Sequence, residues 1–172
     1  MKEIPEDLVT DTWQAASALP PEQAHREMEK AGREQPELLA FVLGSVMDCG
    51  QEAQELAVYL YFVIHKIFKN AAKNRLRPIT AAKIKRRLTQ NEDHLSRIEG
   101  AHPRFVERAA ALETRPQPFV VKYLVEAIVE APECGDPVDL TDEESGTLFL
   151  VLKTVIDLLD EERERAGKKG KR

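Results

Sequence analysis

Between Leu56 and Ile64 the chain reads LAVYLYFVI, nine residues without a charge, a glycine or a proline. Wound as a helix, this stretch is apolar on nearly every side, and a helix apolar all round has to be buried all round. It is too short to cross a bilayer, which takes about 20 apolar residues. The remaining chain, or a second subunit, must therefore surround it.

The ten prolines say how that covering is cut into pieces. A proline inside a helix costs about 3 kcal/mol, whereas at the first helical position it costs almost nothing, so prolines mark boundaries. They stand at Pro5, Pro20, Pro21, Pro36, Pro78, Pro103, Pro116, Pro118, Pro132 and Pro137, with stretches rich in Ala, Leu, Glu, Lys and Arg between them. Aromatics make up 6% of the chain and charged residues 32%, which suits helices with solvated outer faces better than sheets. The fold class expected is all-α, with about eight helices at 5–18, 21–33, 36–48, 51–76, 80–99, 103–114, 118–131 and 141–165.

Several ends carry a mechanism. Gly50 and Gly100 stand where a left-handed residue can close a helix, Thr80 can cap the fifth, and Thr141 with Glu144 has the spacing of a capping box. The fifth helix repeats Ile84, Leu88, Leu95 and Ile98 with Asn91 in phase, a narrow core stripe on an otherwise polar helix. Phe119 to Val129 is β-branched enough to suggest a strand, yet Val121, Leu124, Val125 and Ile128 share one helical face. The tail at 166–172 has little to anchor it and is expected to be disordered.

The sequence also resembles itself. QPELLAFVLGSVMD from Gln35 matches QPFVVKYLVEAIVE from Gln117 at an offset of 82, with large apolar residues in the same phase and a Cys-Gly following at Cys49 and at Cys134. At an offset of 91, Leu60, Tyr61, Ile64, Ile67 and Phe68 meet Val151, Leu152, Val155, Leu158 and Leu159. The expectation is one domain over 1–165, made of two similar four-helix units at about 5–76 and 80–165 around a pseudo-twofold axis. A single unit of that size would leave its most apolar helix under-covered.

Catalytic chemistry is hard to find. Glu22 and His25 have the i, i+3 spacing of di-metal bundles, but a second such pair is missing. His65 sits inside the apolar helix, where a satisfied core or interface histidine is the commoner case. Cys49 and Cys134 follow helix ends, where the negative dipole raises a thiol pKa rather than activating it. Eight glycines form no phosphate cradle, and the serines stand in no nucleophile turn. No cofactor or metal is expected.

Charge is the strongest lead. From Leu56 to Asn91 there are nine bases and no acid, namely Lys66, Lys69, Lys73, Arg75, Arg77, Lys83, Lys85, Arg86 and Arg87. From Tyr123 to Leu152 there are eight acids and no base, running from Glu126 to Glu144. The overall charge of -5 hides this separation. Lys73, Arg75, Arg77, Lys83, Lys85, Arg86 and Arg87 are the candidate site for an anionic partner, most simply an acidic protein surface such as the Glu126 to Glu144 segment of a second subunit. The same layout also fits basic and acidic segments that attract each other within the chain, or a merely solvated face.

These observations point to a non-enzymatic helical protein–protein interaction or scaffold protein that binds a partner or itself. The alternatives are a nucleic-acid-associated factor using 66–87, against which the acidic pI of 5.5 and the lack of interleaved aromatics stand, and an enzyme with an unfamiliar site between the units. No apolar run is long enough for a membrane span, and the acidic start MKEIPEDLVTDTW lacks the features of an export signal, so a reduced, cytoplasmic setting is expected.

Overall fold

The computed structural model describes residues 2–73, 76–99, 117–129 and 139–169. These residues form α1 (Glu6–Ser17), α2 (Pro21–Glu34), α3 (Pro36–Ser45), α4 (Gln51–Ala71), α5 (Ala81–Glu99), α6 (Pro118–Val129) and α7 (Asp142–Lys169), with no strand among them. The all-helical expectation therefore holds. The count is seven helices among the described residues rather than eight; the helix expected at 103–114 lies outside them, as do Arg75, Gly100 and Cys134.

The proline and capping rules place the helix starts well. Pro21, Pro36 and Pro118 each open a helix. At α7 the capping box forms in full, with Glu144 N–H donating to Thr141 Oγ1 at 3.1 Å and Thr141 N–H donating to Glu144 Oε2 at 3.0 Å. The ends differ more. α4 stops at Ala71, not at 76, because Lys73 takes a φ of 52° and this left-handed turn breaks the helical ladder. Gly50 is not a left-handed closure: at φ -61° and ψ 159° it is the extended residue that leads into α4. α7 continues to Lys169, so most of the tail expected to be disordered is helical.

α4 and α7 lie against each other at the centre of the molecule. Leu60, Ile64, Ile67, Val151, Leu152, Val155 and Leu159 are all buried in one continuous core. α1 and α3 pack on α4, α5 and α6 pack on α7, and α1 touches α6 while α3 touches α5. α2 covers α3 and α4. α6 is helical despite its β-branched content, since Val120, Val121, Leu124 and Ile128 are buried on one side of it.

Two buried glutamines tie this arrangement together. Gln35, directly ahead of α3, donates to the Arg77 carbonyl at 2.8 Å and accepts from the Ile79 N–H at 2.9 Å. Gln117, directly ahead of α6, accepts from the Ile4 N–H at 2.7 Å and donates to the Lys2 carbonyl at 3.4 Å and to Asp160 at 2.8 Å. In each case one side-chain amide satisfies backbone groups of a non-helical lead-in segment around a buried isoleucine, where no helical ladder is available.

The helix directions follow from a few contacts. Gly50 N–H donates to Glu144 Oε1 at 2.8 Å, so α4 and α7 begin side by side. Lys83 meets Glu162 and Asn91 meets Thr154 and Asp157, so α5 runs antiparallel to α7 and starts beside its far end. α3 starts beside Arg77 and Ile79, which follow the end of α4, and ends just ahead of the start of α4.

Candidate functional site

Four of the nine bases are answered from within the chain. Lys66 pairs with Glu27 and Lys69 with Glu34, both acids on α2. Lys83 pairs with Glu162 at 2.7 Å, and Arg87 pairs with Glu161. The acids that do this come from α2 and the second half of α7, not from the acidic stretch between Glu126 and Glu144. Of the expected site, Lys73 is exposed at the left-handed turn after α4, and Arg77 is exposed as well, with its backbone carbonyl held by Gln35. Lys85 and Arg86 are exposed on the outer face of α5 and have no ion-pair partner among the described residues. Arg75 lies outside the described residues. The six described residues of this set thus lie between the end of α4 and the first turns of α5, but Lys83 and Arg87 are engaged internally, so the set does not form a single open patch.

α2 and α4 enclose a groove of about 250 Å³ lined by Glu27, Lys30, Glu34, Phe62, His65, Lys66, Lys69 and Asn70. Four of its charges are matched in pairs, Lys66 with Glu27 and Lys69 with Glu34. The hydrogen bond from Lys66 lowers the pKa of Glu27, and Lys69 Nζ donates to both oxygens of Glu34 at 2.6 and 2.8 Å. His65, with only 4% of its side chain exposed, places Nε2 3.6 Å from Glu34 Oε2. Burial lowers its pKa to about 4; Glu34 opposes that shift and Lys69 adds to it. The imidazole is therefore neutral near pH 7. Tyr61 stacks on it with ring centroids 6.1 Å apart, and the buried Tyr61 hydroxyl has no hydrogen-bond partner among the described residues. Burial, with Glu34 adding, raises the Tyr61 pKa. The network orders the α2–α4 seam and presents no ionised nucleophile.

At the opposite end of α4 the surface is different. Leu43 is 48% exposed and Met47 is 70% exposed, one helical turn apart where α3 ends. α3 and the turn that follows it carry two apolar rows. Leu38, Val42 and Val46 are buried in the core, while Leu39, Leu43 and Met47 follow the neighbouring side, where Leu39 is packed against the core and Leu43 and Met47 are exposed. A helix this widely apolar cannot bury both stripes against one neighbour. Two apolar rows over 38–47 were visible in the sequence and would have singled out Leu43 and Met47, which the charge argument passed over. Cys49 stands beside them, half-buried; burial raises its pKa and the carboxylates of Glu144, Asp48 and Glu143 raise it further. Glu144 itself is lowered by the N–H groups of Gly50 and Thr141.

No group of three His, Cys, Asp or Glu side chains among the described residues could hold a metal ion. His25 contacts Glu29 at 3.4 Å, one turn on, rather than joining Glu22 in a ligand pair. Among the described residues no helix is long and apolar enough to cross a membrane. Comparison with protein-family models finds none that matches the chain, and comparison with curated proteins and with solved structures finds no similar protein.

Proposed function

We propose that this chain is a non-enzymatic helical interaction module, built from two similar units about a pseudo-twofold axis, that works by binding another protein through the end of the bundle where α3 stops. The observation that carries the reading is the ledge of Leu43 and Met47. Single exposed apolar residues are ordinary, but two large ones on successive turns, one of them a methionine exposed over 70% of its surface, make a surface suited to an adaptable apolar contact.

The duplication is supported by the reciprocal glutamines. Gln35 of the first unit holds the lead-in to α5, and Gln117 of the second holds the lead-in to α1. Ile4 with Ile79 and Val9 with Ile84 are buried at one common offset of 75. The central pair of α4 and α7, flanked by α3 and α6, fits the same scheme. The internal pairing of Lys66, Lys69, Lys83 and Arg87 removes much of the basic surface that a nucleic-acid reading needs.

The test is affinity capture from the native host with the wild-type chain and with Met47→Asp. The substitution is at the surface and should leave thermal unfolding unchanged. A partner held by wild type and lost by the variant supports the reading; identical sets of captured proteins would overturn it.

A further inference from the structure

The exposed ledge and the exposed cations of α5 have complementary chemistry, and one molecule cannot bring them together. The ledge, Leu43 and Met47, is fringed by the carboxylates of Asp48 and Glu143, both exposed and without an ion-pair partner among the described residues. It sits beside Glu144 at the start of α7, whereas the start of α5 sits beside Glu161 and Glu162. Glu144 and Glu161 are roughly 25 Å apart along α7 at about 1.5 Å per helical residue.

On α5, Ala81, Ala82, Lys85, Arg86 and Thr89 share an exposed face. Lys83 and Arg87 are paired with the acids of α7, whereas Lys85 and Arg86 on the outer side of the helix have no ion-pair partner among the described residues. The same chain carries an unpaired acidic fringe and an uncovered apolar ledge at its other end.

We infer that the occupant of the Leu43–Met47 ledge is a second copy of this chain, which lays the Ala81, Ala82, Lys85 and Arg86 face of its α5 against it. The small alanines leave room for the Met47 and Leu43 side chains, and Lys85 and Arg86 reach Asp48 and Glu143 at the edges. This rests on the interaction reading above and names the partner. The contact joins two different surfaces, so it either closes into an antiparallel pair or repeats into longer assemblies. Its charged rim makes it salt-sensitive.

The experiment is sedimentation and light scattering of the full chain from low micromolar to near-millimolar concentration, at low and high salt. Mass should rise with concentration at low salt and fall back as salt is added. Met47→Asp removes the ledge, and Lys85→Glu with Arg86→Glu removes the α5 face, so each variant alone should associate at least several-fold more weakly. Mixed in equal amounts, the two variants retain one intact surface each and should form a one-to-one complex. A wild-type chain that stays monomeric throughout, or variants that fail to complement each other, would overturn the pairing. If the wild type is monomeric while Met47-dependent capture of another protein persists, the second copy is the wrong occupant and the interaction reading still stands.

Discussion

Gln35 and Gln117 make matching pairs of hydrogen bonds to opposite halves of the chain. Each accepts from a buried isoleucine N–H, Ile79 for one and Ile4 for the other, and each donates to the carbonyl two residues earlier. Both amides are buried, so an unfilled donor or acceptor at either place would cost about 1 to 3 kcal/mol.

Gln35→Ala and Gln117→Ala should therefore each lower stability by about 1 to 3 kcal/mol, read from denaturant midpoints. Glutamate separates the two sites further. It keeps an acceptor but loses the donors, and at position 117 it sets a second carboxylate against Asp160, whose pKa burial already raises. Gln117→Glu should be the more damaging of the two glutamate changes near pH 7. Equal losses from Gln35→Glu and Gln117→Glu would contradict this geometry.

Leu60 and Val155 are fully buried members of the core that holds α4 and α7. Leu60→Ala should cost about 2 to 5 kcal/mol through lost contacts and the cavity left behind. Val155→Asp should cost more, since it buries a carboxyl group without a designed partner. Thermal melts at the wild-type temperature for both variants would rule out this centre.

His65 ties stability to acidity. Its pKa is about 4 in the folded chain against an ordinary value of 6.5, so the unfolded chain takes up a proton first as pH falls. The stability it contributes is complete above about pH 6.5 and is lost on the way down to about pH 4, a total of about 3 kcal/mol. Wild type should weaken between pH 7 and pH 5, and His65→Leu should remove most of that slope. Parallel curves for the two proteins, measured by urea midpoints, would show that other groups control the transition.

Gly44 lies in α3 with no atom within 4 Å of where a Cβ would stand. Gly44→Ala should stabilise the chain by about 0.5 to 1 kcal/mol, because alanine loses less backbone entropy on entering a helix. An unchanged or lower melting temperature would place that end of α3 outside the helical ladder.

Much of this molecule follows from neighbouring residues alone. A proline's missing N–H, the Thr141 and Glu144 spacing and the apolar period of α6 act within one or two turns, so helix class and most helix starts could be read directly. Leu56 to Ile64 had to be central because no arrangement leaves such a helix exposed at acceptable cost. Helix ends were less legible. α4 stops where Lys73 adopts a left-handed conformation, which no residue type at that position demands.

The candidate site depended on distance in space. Nine cations in a row look like one surface, but Lys83 finds Glu162 from 79 residues away, and Lys66 finds Glu27 from 39. Lys85 and Arg86 differ from Lys83 and Arg87 only in the side of α5 they occupy relative to α7. Leu43 and Met47 differ from Leu38 and Val42 only in whether a neighbouring helix covers them. Charge and hydrophobicity are properties of single residues, whereas pairing and burial belong to the packed assembly of helices, and only that packing separates a satisfied side chain from an available one.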